Sequence, residues 1–154
     1  MIIDRDGVID LLKLCAVYDQ RTVGAEDVQG WLLVAQHASW TKRSAQRVIV
    51  EHYASGADRQ RITPAQVSDS LRTLRRKAAG SFEDPVIPEG FSGGEYVRWY
   101  RDQMRAHVDR LMERWAEGEQ IPVGLPAGTP ATARRVLEAV KTVAATTHIP
   151  DEDA

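Results

Sequence analysis

Four histidines, one cysteine and a glycine-rich stretch are the residues here best suited to reactive chemistry. Two convergent imidazoles would suit metal binding or proton transfer. The spacing of His37, His52, His107 and His148 does not bring them together. No two stand in the HExxH arrangement that aims successive helical turns at one ion, and Glu51 points about 100° away from His52 on a helix. His52 therefore reads as a hydrogen-bonded residue at the edge of a core. Cys15 stands alone in an apolar run, which excludes an internal disulfide and argues against a thiolate metal site, so it is expected to be buried. Gly90-Phe-Ser-Gly-Gly94 lacks the lysine and the Ser or Thr of a phosphate-binding loop, and no β-rich run precedes it. It reads as a joint. No nucleophile elbow or paired-carboxylate pattern stands out, so the expectation is a non-enzymatic protein with no metal and no cofactor.

Charge offers a stronger lead. The formal net charge is −2, yet residues 1–79 carry +3 and residues 80–154 carry −5. Residues 42–77 hold nine Lys/Arg against Glu51, Asp58 and Asp69, a local +6 that attracts phosphates or an acidic partner. Arg72, Arg75, Arg76 and Lys77 fall near the end of a helix pattern, where cations complement the negative pole of the dipole. Lys42 and Arg43 fall in the first turn of another, where the dipole disfavours them by a few tenths of a kcal/mol. A residue placed against local preference points to another role. Lys42, Arg43, Arg47, Arg72, Arg75 and Arg76 are thus the candidate face for nucleic acid or an acidic partner.

The elements that must position these residues are helical throughout, which predicts an all-α protein. A first helix over about Asp6–Tyr18 has Val8, Leu11, Leu12, Cys15 and Tyr18 on one face and Ile9, Leu14 and Val17 elsewhere, so it reads as a central, enclosed helix. A second, Ala25–His37, carries Val28, Trp31, Leu32 and Ala35, with Trp31 in the core. Thr41 caps a third to about Tyr53, on which Ala45, Val48, Ile49 and His52 share a face. The fourth opens at Ile62-Thr63-Pro64-Ala65-Gln66-Val67: Thr63 caps, Pro64 suits the first helical position, Gln66 completes a capping box, and Ile62 with Val67 forms the staple.

That fourth helix ends near Ala79-Gly80, and residues 80–94, with four glycines and two prolines, have a linker composition. A long helix over about Glu95–Ala116 then carries Val97, Tyr100, Met104, Val108, Leu111 and Trp115 at spacings of three or four. Such a stripe needs a partner: the first four helices, or a second copy in a homodimer through residues 95–116. Trp99 lies on the opposite side, packed under the linker or in a contact with another protein. Arg98 with Asp102 and Arg105 with Asp109 make i,i+4 pairs on the solvated faces. A short helix follows Thr129-Pro130, and the tail is acidic. The organisation is a compact four-helix module at 1–79, a flexible linker at 80–94, and a helical arm at 95–154. No stretch approaches the roughly 20 apolar residues of a membrane span, and the N-terminus lacks a basic region followed by an apolar one. The expectation is a cytoplasmic protein with no membrane partner.

Leu11-Leu12-Lys13-Leu14-Cys15-Ala16-Val17-Tyr18, Val28-Gln29-Gly30-Trp31, Ala45-Gln46-Arg47-Val48-Ile49-Val50-Glu51-His52-Tyr53 and the Ile62–Val67 helix start together resemble a known domain. It is the N-terminal helical domain of helicase loader/inhibitor proteins from tailed phages, and the likeness covers roughly residues 5–79. In that family a small helical domain is joined to a more flexible C-terminal part that engages the replicative helicase. The resemblance implies an adaptor in phage or prophage DNA replication, in the bacterial host cell, with the helicase or another replication protein as partner. The helix at 95–116 reads as ordered where the family has its flexible part, so no helicase-contact residue is carried over. Two other functions fit the residues. One is a sequence-specific DNA-binding regulator that reads bases with helix 41–53, through Lys42, Arg43, Gln46 and Arg47. The other is an inhibitory interaction module with no nucleic-acid role, using Trp99, Tyr100, Met104, Val108, Leu111 and Trp115 as its protein interface.

Overall fold

Each helix begins where a side chain takes up backbone N–H groups that the first turn leaves without partners. In the structure, a computed structural model describing residues 2–56, 60–86, 90 and 92–122, five helices follow in order. They are α1 (Arg5–Asp19), α2 (Ala25–His37), α3 (Lys42–Ala54), α4 (Pro64–Gly80) and α5 (Gly93–Ala116). The described residues are all-helical, with no strand. The Thr129 helix, the acidic tail and His148 lie outside the described residues.

Asp4 accepts the Gly7 N–H at 2.9 Å, so α1 starts at Arg5, one residue before the expected Asp6. Thr41 accepts from Ser44 at 3.2 Å. At α4 the capping box is reciprocal: the Gln66 N–H donates to Thr63 Oγ1 at 3.3 Å, and the Thr63 N–H donates to Gln66 Oε1 at 2.8 Å. A second box sits at Ser92, whose N–H donates to Glu95 Oε2 at 3.0 Å. It starts α5 two residues earlier than expected, inside the stretch whose glycines read as linker.

One apolar cluster joins all five helices. It takes Val8, Leu11, Leu12 and Cys15 from α1, Trp31 and Ala35 from α2, Val48 and Ile49 from α3, Val67 and Leu71 from α4, and Leu111, Met112 and Trp115 from α5. α3 packs on α1, α4 and α5, and α4 packs on α2, α3 and α5. The central positions belong to these two. The enclosed setting expected for α1 is corrected: its extended packing is with α2 and α3, so one face is buried while Val17 is 76% and Tyr18 48% exposed. Two neighbours cannot cover a helix on every side.

Trp40, in the α2–α3 turn, is the largest fully buried side chain. Its carbonyl accepts the Ile3 N–H at 2.9 Å, its own N–H donates to Ala35 at 2.9 Å, and its indole Nε1 donates to Ser68 Oγ at 3.2 Å. It thereby ties the N-terminus and α4 to the turn. After α5 the chain reverses at Gly118, whose φ of 116° lies in a region that side-chain-bearing residues avoid. The reversal returns Ile121 to the core at 4% exposure.

Candidate functional site

The six basic residues expected to share a face divide into two groups with different surroundings. On α3, Lys42 Nζ lies 2.6 Å from Asp10 Oδ2, and Arg43 lies 3.2 Å from Glu117. The Lys42 bond holds the Asp10 carboxyl below its ordinary range and raises the ammonium. Arg47 donates from Nε to Glu51 at 2.7 Å and from Nη1 to the Glu119 carbonyl at 3.2 Å. Its guanidinium is 4.5 Å from the Trp115 ring centroid, and its side chain is 18% exposed. The reading of Arg47 as a surface contact is therefore corrected: it joins α3 to the end of α5. Beside Lys42 and Arg43, Asp109 and Glu113 of α5 and Glu117 just past its end lie along the same hollow.

Arg72, Arg75 and Arg76 open onto a second cleft of about 570 Å³ between α4, the end of α2 and α5, and Arg75 also lines the hollow of Lys42 and Arg43. His37, Ala38, Ser39, Ser68, Leu71, Ala79 and Val108 complete its lining, which includes no carboxylate. Arg75 reaches across to the α2 terminus and donates to the Ala38 and Ser39 carbonyls at 3.3 and 3.1 Å. The sequence placed this cation at the negative end of its own helix, but it serves the neighbouring one. Arg72 holds Asp69 at 2.7 Å in an exposed pair, and Arg76 makes no ion pair with a described residue.

The α5 stripe divides as well. Leu111 and Trp115, read as an interface for another protein, are 8% and 4% exposed in the chain's own core, which corrects that part of the reading. Met104 and Val108 are half-buried, Val108 against the core cluster. Further toward the N-terminus no α5 residue is buried, and Val97 is 52% exposed. Here the rings gather. Tyr96 lies 6.1 Å from Trp99 and 5.9 Å from Tyr100, and Phe82 lies 5.5 Å from Tyr100 and 5.3 Å from His107. Burial and a 3.0 Å bond to Asp84 push the Tyr100 phenol up to about 12. The Arg98–Asp102 and Arg105–Asp109 pairs are not formed, and Arg114 instead pairs with Glu119.

Sequence reasoning missed one polar centre. The Asp19 carboxylate, 4% exposed, accepts from Arg21 and from the Tyr53 hydroxyl. Arg21 also donates to the Ile62 carbonyl at 3.0 Å and lies 5.7 Å from the Trp31 centroid, while Tyr53 stacks on Tyr18 at 4.8 Å. Arg21 holds the carboxyl down to about 2, and burial raises the Tyr53 phenol. Asp19-Gln-Arg21 is a local turn signal, but Tyr53 and Ile62 meet it only through the packing of α1 on α3. The group is a clasp that fixes two loops, with every member already bonded.

His52, half-buried, donates from Nε2 to the Gln60 carbonyl at 3.0 Å, hydrogen-bonded as read from the sequence, and His107 pairs with Ser81 at 3.1 Å. Among the described residues no group of three His, Cys, Asp or Glu side chains is placed to hold a metal ion. No helix among them is long and apolar enough to cross a membrane. By fold the chain is an all-α protein with two surfaces of distinct chemistry, an arginine-rimmed cleft and an aromatic shelf. Comparison with protein-family models, curated proteins and solved structures finds no match to this chain.

Proposed function

We propose that this chain is a non-enzymatic adaptor of phage or prophage DNA replication, similar to helicase loader/inhibitor proteins, and that the N-terminal half of α5 carries its protein contact. The observation behind this is the aromatic shelf of Tyr96, Trp99 and Tyr100 beside exposed Val97. Partly exposed tyrosine and tryptophan supply large contact area at low conformational cost, and interfaces are enriched in them. The partner in this reading is the replicative helicase or another replication protein in the host cytoplasm. The same shelf serves a second copy or an inhibited target equally well on chemical grounds; the resemblance at residues 5–79 favours replication.

A regulator reading bases with α3 has weaker support. Arg47 is held under Trp115, Arg43 is paired, and the carboxylates of α5 lie beside the helix start. A phosphate backbone approaching there meets negative charge.

The test is affinity purification of the tagged protein from nuclease-treated lysate of its natural host type, followed by mass spectrometry. Retention of the replicative helicase by the native chain and its loss in Val97→Asp supports the adaptor. A preparation without replication proteins, carrying DNA only when nuclease is omitted, overturns it in favour of the regulator.

A further inference from the structure

The cleft rimmed by Arg72, Arg75 and Arg76 has a different chemistry from the shelf, and its occupant follows from three features. The first is an apolar floor. Half-buried Ala79 and Val108 line it, with Leu71 of the core behind them. A phosphate backbone has no apolar group to place on such a floor, whereas a peptide side chain does. The second is the confinement of the positive charge. Three arginines face the cleft without a carboxylate in its lining. The neighbouring hollow, which shares Ser39 and Arg75 with it, brings Asp109, Glu113 and Glu117. Duplex binding draws on many cations tracking the backbone. Here the positive field is local and stops at a row of carboxylates.

The third feature is preorganisation. Arg75 is fixed by two carbonyl bonds at 3.3 and 3.1 Å, so its charge is presented without a large loss of side-chain freedom on binding. Arg72 is held only by an exposed pair with Asp69, of a kind worth about 0–1 kcal/mol, and is readily redirected to a ligand. Arg76 makes no ion pair with a described residue. Guanidinium groups bind carboxylates through paired N–H donors, which gives direction as well as charge.

We infer that this cleft is a docking site for an acidic peptide segment of a partner protein, in which an apolar side chain rests against Ala79 and Val108 while flanking carboxylates meet Arg72 and Arg76. The site is independent of the α5 shelf, and it stands or falls without the identity of the replication partner.

The experiment uses the purified full chain and fluorescence anisotropy at fixed ionic strength. The probe is a fluorescein-labelled peptide with two leucines set among aspartates and glutamates. A second peptide has both leucines replaced by serine, and a labelled random-sequence DNA duplex is the third probe. The expected result is saturable binding of the leucine peptide, weakened about tenfold or more by the Arg72→Ala/Arg76→Ala double variant, and weakened similarly on replacing leucine by serine. Both arginines are exposed, and circular dichroism of the variant establishes that the helices persist. Equal binding of the leucine and serine peptides overturns the inference, because the floor then contributes nothing. DNA binding that exceeds peptide binding and depends on the same arginines overturns it in favour of a nucleic-acid site. Peptide binding unchanged in the double variant overturns it by placing the peptide elsewhere. Because only purified components are used, failure here leaves the lysate result intact, and the reverse also holds.

Discussion

The guanidinium of Arg47 on α3 lies 4.5 Å from the ring centroid of Trp115 near the end of α5, with Glu51 and the Glu119 carbonyl holding its nitrogens. A cation over an indole face contributes about 0.5–2 kcal/mol, more as water is excluded. Trp115→Ala is expected to cost roughly 3–5 kcal/mol, as for other buried aromatic truncations. A double-mutant cycle with Arg47→Ala, read from urea denaturation, is expected to show a coupling of about 1 kcal/mol. Additive effects of the two substitutions would show that the stacking is incidental.

The buried Asp19 makes acid stability a sharp test. Its carboxyl titrates at about 2 in the fold against an ordinary value of 3.8, chiefly through Arg21, then Tyr53 and the Arg21 backbone. A depressed folded value means that the stabilisation is complete above the unfolded pKa and disappears as pH falls through the folded one. The difference corresponds to about 2 kcal/mol, lost between roughly pH 4 and pH 2. Urea midpoints measured across that range are expected to fall more steeply for the native chain than for Asp19→Asn, which has no carboxyl to protonate there. Parallel curves would remove Asp19 as the cause.

Two helical glycines are expected to respond in opposite directions to alanine. At Gly7 a Cβ would stand 2.6 Å from Ile3 Cγ1, and Ile3 is itself buried and tied by its N–H to Trp40. At Gly30 a Cβ meets nothing within 4 Å. Alanine normally stabilises a helix interior by roughly 0.5–1 kcal/mol over glycine, whereas overpacking costs about 1–3 kcal/mol. Thermal melting should therefore rise for Gly30→Ala and fall for Gly7→Ala. A rise in both would mean that Ile3 moves aside freely.

Cys15 should be inert in the folded protein. It is fully buried, and burial pushes its thiol up to about 11, so the reactive thiolate is scarce at neutral pH. Labelling with a thiol-disulfide reagent is expected to be negligible without denaturant and to rise with urea in step with global unfolding. Fast labelling of the native chain would indicate a local opening of α1.

Helix starts were legible in the sequence because they are local chemistry. Thr41, and Thr63 with Gln66, satisfy N–H groups three residues away, and nothing distant can change that requirement. The same holds for Cys15, Trp31 and the Val67–Leu71 stripe, whose periodicity demands a buried face wherever the helix lies. The start of α5 was obscured because Gly93 and Gly94 dominate the composition there, while a single Glu95 supplies the box.

The fate of the charges was decided by tertiary structure. Arg47 and Arg76 carry the same group on adjacent helices, yet one is held under Trp115 while the other faces the cleft. Charge along a chain says only that a cation must find water or a partner. Which one it finds depends on what the fold brings within a few ångströms, and for Arg47 that is a residue 68 positions away. The same reason separates Val17 from Leu12 on α1 and Val97 from Trp115 on α5. Each pair is alike in apolar character, but Val17 lies off the face of α1 that packs on its neighbours, and Val97 lies outside the C-terminal part of α5 that joins the core.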